Sequence, residues 1–385
     1  MKILIAAFSF SPEVNGVANV SYEHAKYFLA KGHDVTIVTQ YNEKREFTEF
    51  KNIKIVEFKI KGGPLVTNFY RGENIKYINY LNKAKDDYDL LFFHGWQIWT
   101  TDLFLFTKRS KHKQSKSIFI SHCSPSIKWS SFLDVCRSCL LIPYVYLIMP
   151  LLMKKFEHLI FLSDKKHGDR HQDYKYAFSK FMNKTHIIPN GIPDIPSKIS
   201  PSQEISELFK SIMGKKIALY VANYDQIKDQ KRAVDVIKNL KMKSEVHLVF
   251  IGSNCNRYCK ELILLIKKQG LDNKISVLFN VKRSDVLWFY SKSYITLFTS
   301  RTECCPLAVL ESLAFNKPVV STDVGCLNQW EGISICKTTS MLALETDLLL
   351  EDKKHYDYQK ERIISSNKNN TWSSVMKGYD QFLSK

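Results

Sequence analysis

The sequence lacks an apolar run long enough to cross a bilayer as a helix. The apolar stretch 140–153 has only 14 positions and includes two prolines, whereas a spanning helix needs about 20 apolar residues. No signal peptide is apparent, because the short apolar run 2–8 has no basic leader and instead predicts a first buried strand. We therefore expect a cytoplasmic protein.

The nine cysteines also lack the spacing of a disulfide framework or a metal site. Cys136-x-x-Cys139 and Cys255-x-x-x-Cys259 have spacings that zinc ligands use, but they lie on opposite sides of the expected domain boundary. No compact set of four ligands appears. We expect reduced thiols, as in a cytoplasmic protein, and no bound metal.

Acidic residues are scarce relative to basic ones, 38 against 56, which gives a net charge of +18. Residues 108–180 alone contain 14 basic and 5 acidic residues. The same region holds the apolar stretch 140–153, bracketed by Arg137 and by Lys154 and Lys155. This segment is either a buried helix or, through residues 137–155, a contact with an anionic membrane at its inner face. Nucleic acid is not an expected partner, because no basic stripe is interleaved with stacking aromatics.

Short apolar runs alternate with longer amphipathic stretches, a pattern typical of α/β folds. Residues 3–8, 22–30 and 35–39 predict a strand, a helix and a strand. Turn residues interrupt the pattern near 189–197, and a second series begins with a strand at 216–222. A chain of 385 residues exceeds the size of one core. We predict two doubly wound α/β domains that bind ligands beyond the carboxyl ends of their strands.

Two glutamates eight residues apart, Glu303 and Glu311, form the most informative motif. An apolar strand, 294–299, leads into it, and Pro306 is suited to the first position of a helix. Glu303 then lies on the connecting loop and Glu311 on the helix, ~7–8 Å further along its axis. Carboxylates can accept hydrogen bonds from hydroxyls, and the free N–H groups between them attract anions. The layout suits a nucleotide sugar, although glutamates near a helix start are more often dipole-stabilising or solvated.

Three other candidates follow predicted strands. Gly16 lies between the first strand and helix, where backbone N–H groups can approach a phosphate or sugar, or where the chain simply makes a βα turn. His122 comes directly after the strand 117–120, and His94 ends the strand before it; a lone histidine is more often structural than catalytic. Lys228 lies in the loop after strand 216–222, and a solvated lysine is the alternative there.

Together these motifs resemble the retaining glycosyltransferases of family 4, which have the GT-B fold: two doubly wound Rossmann-like domains facing a central cleft. The similarity runs through nearly the whole chain and is strongest at 1–40, 186–192 and 217–325. It rests most on Ser300-Arg-Thr-Glu303, on the run from Glu311 to Gly325, and on Ser9-Phe-Ser-Pro-Glu-Val-Asn-Gly16.

The resemblance implies roles for the residues around the glutamate pair. Glu303 would hold hydroxyls of the donor sugar, and Glu311 the ribose hydroxyls. Backbone N–H groups around Pro306, Leu307 and Ala308 would approach the donor. Because the carboxylates bind hydroxyls, no metal or other cofactor is expected.

It also implies roles for the other candidates. The loop with Gly16 and Val17 would contact the donor, His122 would touch the sugar and support the transition state, and Lys228 would neutralise the diphosphate. Relatives commonly have Gly-Arg where this chain has Ala222-Asn223, so one phosphate-binding cation is missing. Lys231 and Arg232, one turn further on, are candidates to offset it.

The expected domains are an acceptor-binding domain at 1–195, a donor domain at 196–365, and a C-terminal helix at 366–385 that packs back on the first domain. The expected reaction moves a hexose from a nucleoside diphosphate sugar, with retention, to a glycan or lipid-linked acceptor, in bacterial cell-envelope polysaccharide synthesis. The alternatives are a nucleic-acid-directed glycosyltransferase and a catalytically weak nucleotide-sugar-binding protein.

Overall fold

The computed structural model of the chain describes residues 1–13, 15–63, 65, 69–108, 115–122, 132–164, 172–242 and 244–383. Backbone contacts divide the chain into two compact units. Unit 1 comprises residues 1–190 and 375–385, and unit 2 comprises residues 191–374. The boundary predicted from the sequence, after residue 195, lies five residues later than the one observed after residue 190. The predicted start of the returning C-terminal segment, residue 366, lies nine residues before the observed start at residue 375.

Unit 1 contains ten described strands: β1 (Lys2–Ala6), β2 (Asp34–Gln40), β3 (Glu49–Phe50), β4 (Ile53–Phe58), β5 (Ile60–Lys61), β6 (Arg71–Gly72), β7 (Leu90–His94), β8 (Lys116–Ser121), β9 (His158–Phe161) and β10 (Thr185–Ile187). Its described α-helices are α1 (Gly16–Ala30), α2 (Asn74–Asp87), α3 (Trp99–Asp102), α4 (Phe132–Pro143), α5 (Met149–Lys155) and α6 (Asp173–Phe181).

Eight of these strands form one sheet in the order β10-β9-β8-β7-β1-β2-β4-β3, parallel except for the short β3. The central strands are apolar because helices cover both faces of a parallel sheet: residues 3–6 and 90–93 are fully buried. Strand β1 lies between β2 and β7, where the strand order reverses. A crevice forms beyond the carboxyl ends of strands at such a point, so the loops after β1 and β7 are positioned there.

Unit 2 contains β11 (Lys216–Val221), β12 (Val246–Gly252), β13 (Ile275–Phe279), β14 (Ile295–Phe298), β15 (Val319–Ser321) and β16 (Ile333–Ile335). Its α-helices are α7 (Gln203–Ser211), α8 (Gln230–Asn239), α9 (Arg257–Lys268), α10 (Arg283–Lys292), α11 (Leu307–Ala314), α12 (Thr339–Glu351), α13 (Lys353–Asn367) and α14 (Trp372–Met376), whose last two residues belong to unit 1.

The strands of unit 2 form a wholly parallel sheet in the order β13-β12-β11-β14-β15-β16. Its reversal point lies between β11 and β14, which pair through Ala218 with Ile295 and Leu219 with Thr296. The loops after these two strands therefore start side by side. The α/β prediction with two Rossmann-like sheets is confirmed.

The glycine in the turn-rich segment between the two series has a packing reason. A Cβ on Gly191 would lie 2.4 Å from the Trp372 Cα. The neighbouring backbone is paired as well: Ile192 N donates to Asn370 O, and Trp372 N donates to Ile192 O. Only glycine allows this close approach of two chain segments.

The C-terminal residues of unit 1 are held by both apolar and polar contacts. Tyr379 is buried with its ring 4.9 Å from that of His24, measured between ring centroids. Asp380 accepts hydrogen bonds from the Tyr27 hydroxyl and the Lys31 ammonium of α1, at 2.7 and 2.6 Å.

Candidate donor site

The loops that follow β11 and β14 bring two of the predicted residues into direct contact. Lys228 Nζ lies 2.5 Å from Glu303 Oε1, an ion pair in which the lysine side chain is 27% exposed and the glutamate side chain 11%. Adjacent parallel strands end at the same edge of a sheet, which explains why residues 75 positions apart meet. The sequence predicted that each would contact the donor, but not that they pair with each other.

Side-chain hydrogen bonds to its backbone hold the loop that carries Lys228 in place. The Tyr220 hydroxyl at the end of β11 donates to Lys228 O, and Thr299 Oγ1 donates to Asp229 O at 2.8 Å. Asp229 has a left-handed backbone with φ of 49°, which aspartate tolerates better than most residues. Its carboxylate accepts from Arg301 Nε at 3.0 Å. The lysine is therefore presented on a fixed backbone.

The two cations that were candidates to replace the missing arginine are occupied elsewhere. Lys231 Nζ pairs with Glu261 at 3.0 Å, and Arg232 donates to the backbone oxygen of Lys337 at 2.9 Å. Arg301, which sequence reasoning did not single out, contacts the loop that carries Lys228, with its backbone N–H bonded to Ile227 O. Its side chain is 66% exposed while it pairs with Asp229.

Glu311 also has a cationic partner that the sequence did not reveal. Arg283, the first residue of α10, donates from both terminal nitrogens to the two carboxylate oxygens of Glu311. The Nη1–Oε2 distance is 3.0 Å. A bidentate pair of this kind fixes the plane of the carboxylate as well as its position. The Glu311 side chain is 9% exposed and that of Arg283 is 45% exposed.

The start of α11 offers N–H groups beside these carboxylates. Helical residues begin at Leu307, so Pro306 is the N-cap residue, with φ −72° and ψ 115°, and not the first helical residue as predicted. The first intrahelical donor is Val309 N, which bonds to Pro306 O. The N–H groups of Leu307 and Ala308 come before it, as expected at a helix start.

Tyr290 supports this helix from α10. Its hydroxyl donates to Ala308 O at 2.8 Å. Burial and the nearby Glu311 carboxylate raise the pKa of Tyr290 well above its usual value, so the hydroxyl stays protonated and remains a donor.

The loop that bears Glu303 is braced by the segment that follows β15. Cys326 N donates to Cys304 O at 2.8 Å, and Thr322 Oγ1 donates to Ser300 O at 2.6 Å. Gly325, with φ of +53°, lies so close that a Cβ there would be 2.2 Å from Cys304 O. Any other residue at 325 would push the Glu303 loop out of place.

In unit 1, hydrogen bonds between polar side chains hold together the loop after β1. Ser9 Oγ donates to Glu13 at 2.5 Å and accepts from Asn15 at 2.6 Å. Asn15 also caps α1 by accepting from Ala18 N at 3.0 Å. Gly16 follows as the first helical residue; it is exposed, and a Cβ on it would meet nothing within 4 Å. Gly16 therefore borders open space, and the fold itself does not require glycine there; Val17, the next residue, is half-buried.

The two strand-end histidines of unit 1 contact each other. His94 Nδ1 lies 2.8 Å from His122 Nε2, and the rings are stacked with centroids 5.1 Å apart. Burial lowers the pKa of His122 to about 4, and burial followed by the charges of His122 and His24 lowers that of His94 well below its usual value. Both imidazoles are therefore neutral at pH 7, and one donates to the other. His94 is fully buried, whereas His122 keeps some exposure.

The apolar stretch of unit 1 is helical throughout, but it changes its hydrogen-bond pattern part-way. A π-helical turn, Tyr144–Ile148, separates α4 from α5. Four apolar side chains in this stretch are more than 40% exposed: Leu140, Tyr146, Leu147 and Leu151. No helix of the described residues is both long and apolar enough to span a bilayer.

The two lysines that follow this stretch differ. Lys154 is exposed. Lys155 turns inward and donates to Leu105 O and Thr107 O at 2.8 and 2.7 Å, and burial lowers its pKa to about 8. Only Lys154 is therefore suited to the membrane contact predicted for both, and the side chain of Arg137 lies outside the described residues.

Comparison with known proteins identifies the family. The family model described as Glycosyl transferases group 1 matches residues 202–364, and the model described as Glycosyltransferase Family 4 matches residues 14–194. The chain belongs to the family 4 glycosyltransferases. An uncharacterized glycosyltransferase of Methanocaldococcus jannaschii is 26% identical over 185 residues, 47% of this chain and 41% of that relative. The chain thus spans less than half the length of this curated relative.

Solved structures share the whole fold at low identity. HepE of Anabaena, in complex with UDP and glucose, has a TM-score of 0.71 and 15% identity, and covers 100% of this chain and 99% of its own. WaaG, a glycosyltransferase involved in lipopolysaccharide biosynthesis, has a TM-score of 0.66 and 14% identity, with 100% of both chains covered. These likenesses confirm the GT-B fold of a family 4 glycosyltransferase.

No three His, Cys, Asp or Glu side chains in the described ranges lie close enough to share an ion. The exposed Cys136 and Cys139 and the more buried Cys255 and Cys259 are free thiols. Metal independence of the reaction stays a prediction.

Proposed function

We propose that this family 4 glycosyltransferase transfers a hexose, with retention of configuration, from a nucleoside diphosphate sugar to a glycan or lipid-linked acceptor of cell-envelope polysaccharide. The observation that carries the proposal is the contact between Lys228 and Glu303, on the two loops that start at the reversal point of unit 2. The second loop leads into α11, which carries Glu311 with its partner Arg283 and begins with the N–H groups of Leu307 and Ala308. A nucleoside diphosphate sugar needs this combination of partners for its phosphates and hydroxyls.

Lys228 would bind the diphosphate without losing Glu303. An ammonium has three N–H donors, so one can stay on the carboxylate while the others bind phosphate oxygens. The N–H groups of Leu307 and Ala308 and the helix dipole would add to the stabilisation of the leaving diphosphate. No metal is needed in this scheme, because the charge is balanced by side chains and backbone.

The two glutamates would divide the hydroxyls of the donor. Glu303, on the loop, would orient the sugar ring, and Glu311, fixed in its plane by Arg283, would accept from the ribose hydroxyls. His122, neutral and partly exposed, would donate or accept a hydrogen bond at the transferred sugar. The acceptor would then attack the face from which the diphosphate leaves, which retains the configuration.

The test is a panel of nucleotide sugars incubated with the purified protein, with products followed by mass spectrometry. We expect turnover, at least as slow hydrolysis, with one donor, and its loss in Glu303→Ala. NMR of the first product would show an anomeric configuration equal to that of the donor. Activity that persists in excess EDTA would support metal independence. An inverted product would overturn the retaining mechanism.

A second candidate, a catalytically weak nucleotide-sugar-binding protein, is favoured by one observation. The two cations that could replace the arginine expected from the family resemblance at Asn223, Lys231 and Arg232, have partners elsewhere. Tight binding of UDP or another nucleoside diphosphate without turnover of any donor in the panel would support this alternative. Turnover above about one per minute would exclude it.

For the acceptor, we propose that residues 137–155 contact an anionic membrane surface at the inner face of the membrane. The exposed Tyr146, Leu147 and Leu151 supply apolar contact, and the exposed Lys154 supplies charge. WaaG, which shares the fold, acts in lipopolysaccharide biosynthesis. A lipid-linked acceptor would be presented at such a surface.

Vesicle sedimentation tests the membrane contact. Leu147→Glu and Lys154→Glu should each weaken binding to phosphatidylglycerol vesicles several-fold. Leu264→Glu is the matched control, because Leu264 is 67% exposed on α9 of unit 2. Lys155 should not be changed, since it caps backbone carbonyls. Equal binding by all variants would exclude this surface.

A further inference from the structure

Two cysteines next to the candidate donor site have their sulfur atoms almost in bonding distance. Cys305 Sγ and Cys326 Sγ are 2.8 Å apart, and the residues are separated by 21 positions. Nonbonded heavy atoms usually lie about 3.5–4.0 Å apart, and a disulfide requires about 2.05 Å. The sulfurs therefore need to approach by less than about 1 Å to bond.

The backbone around these cysteines already holds them face to face. The segments that carry them are joined by the hydrogen bond from Cys326 N to Cys304 O at 2.8 Å, and Gly325 allows the close approach. Trp330 Nε1 donates to Cys326 Sγ at 3.4 Å, which fixes the direction of that side chain. A bond between the sulfurs would thus need little movement of either segment.

We propose that Cys305 and Cys326 form a reversible disulfide that locks the Glu303 loop to the segment after β15. This inference goes beyond the proposed function and does not depend on it. Cys305 lies two residues after Glu303 and directly before Pro306, so a bond at Cys305 restrains the carboxylate loop and the start of α11. Sequence spacing gave no sign of the pair.

A peroxide is the oxidant that the proposal requires. Cys305 is 6% exposed and Cys326 is fully buried, so the peroxide reaches Cys305 first. The Cys305 thiol loses its proton and the thiolate attacks the peroxide: an S–O bond forms, the O–O bond breaks, and the departing hydroxide takes up that proton and leaves as water, which gives a sulfenic acid. The Cys326 thiol then attacks this sulfur: the S–S bond forms, the S–O bond breaks and a second water leaves. A dithiol reductant reverses the change.

Peptide mapping after oxidation tests the bond. The protein is treated with hydrogen peroxide, free thiols are alkylated, and the chain is cut by a protease specific for glutamate. Cys304 and Cys305 then lie in the peptide 304–311, and Cys326 lies in the peptide 312–331. We expect these two peptides to be linked, with a loss of two hydrogens, and to separate after reduction.

Three variants identify the partners. Cys304→Ser and Cys336→Ser should both keep the link. The hydrogen-bond partners described for Cys336 Sγ are backbone oxygen atoms and not sulfur atoms. Cys305→Ser should abolish it. A link that survives Cys305→Ser, or no link in the wild type at peroxide levels that alkylation shows to oxidise the exposed Cys136, would overturn the proposal.

A separate measurement tests whether the disulfide restrains the Glu303 loop. In the oxidised wild type, hydrogen exchange in residues 304–311 should slow at least about threefold, and the melting temperature should rise by several degrees, because the bond closes a loop and restricts the unfolded chain. Neither change should occur in oxidised Cys326→Ser. Unchanged exchange in a fully linked sample would show that the bond does not lock the loop.

Discussion

The candidate donor site of unit 2 and the contacting histidines of unit 1 differ in the charge of their side chains. In unit 2 each key carboxylate has a cation: Glu303 has Lys228, and Glu311 has Arg283. In unit 1, His122 and His94 contact each other as neutral rings, because burial lowers the pKa of both. Paired charges can accommodate a phosphate, whereas neutral imidazoles are suited to hydroxyls. If the proposed function is right, this difference would place the anionic half of the donor in unit 2.

Removal of the lysine should test this assignment with the largest effect. Lys228→Ala removes the ammonium that pairs with Glu303 and that we propose stabilises the departing diphosphate, so kcat/KM with the identified donor should fall about 10²–10³-fold. Lys231→Ala, which breaks the ion pair with Glu261 in the same unit, is the control and should stay within about twofold. Initial rates at saturating and limiting donor give both constants. If Lys228→Ala keeps a third of the wild-type kcat/KM, the ammonium of unit 2 does not have the role proposed for it at the diphosphate.

Loss of the partner of Glu311 should have an intermediate effect. Arg283→Ala frees the carboxylate from its fixed plane, so the Kd for UDP, measured by calorimetry, should rise about tenfold. Arg283→Lys should not restore it, because a single ammonium cannot make the bidentate contact. In the background of Glu311→Gln, the arginine substitution should cost much less if the two act as a pair.

A control for the arginine substitution is available in the same unit. Arg362 pairs with Glu331, and both side chains are more than 40% exposed. Arg362→Ala removes a surface ion pair of the ordinary kind, whose contribution is small, and should leave UDP binding unchanged. Equal losses in Arg283→Ala and Arg362→Ala would indicate a general charge effect instead of a site.

The sequence predicted the fold because its signal is local and repeated. Each strand of the parallel sheets is an apolar run of a few residues, and each helix has its own period, so the two α/β series were visible without any long-range information. Boundaries were less accurate: Pro306 was expected inside α11 but caps it. The apolar run 140–153 was left open between a buried helix and a membrane contact, and the π-helical turn inside it has no sequence pattern of its own.

The candidate site was predicted only in part, because partners depend on strand order. Glu303, Glu311 and Lys228 could be named from motifs, but the contact of Lys228 with Glu303 follows from β11 pairing with β14. Arg283 begins a helix 28 positions before Glu311, and nothing in its local sequence marks it. The inward turn of Lys155 was likewise invisible, since a lysine beside an apolar run looks exposed.

Substitution of the partly exposed histidine, His122, should test the role of unit 1 in this comparison. His122→Ala should lower kcat about tenfold or more, while the Kd for UDP stays within twofold, because the ring is expected to act on the sugar and not on the phosphates. His158→Gln, at the start of β9 and paired with His186, is the control. A parallel loss of UDP affinity in His122→Ala would place anionic recognition in both units.

The smallest expected effect is on stability at low pH, and its sign follows from the lowered histidine pKa. His122 has a pKa of about 4 in the folded chain and about 6.5 when unfolded, so between these values the unfolded chain binds more protons. Stability is therefore full above pH 6.5 and is lost as the pH falls toward 4.

The variant His122→Gln should reduce this loss by about 2 kcal/mol, as measured by denaturant unfolding at pH 7 and pH 4.5. Part of the dependence of stability on pH should remain, because His94 stays buried and its pKa is lowered in the same direction. Asp102 has a pKa raised to about 6 by burial and opposes the slope, but it does so equally in both proteins. The difference between them therefore reports the lowered pKa of His122, and identical pH profiles would mean that folding does not lower the pKa of this ring.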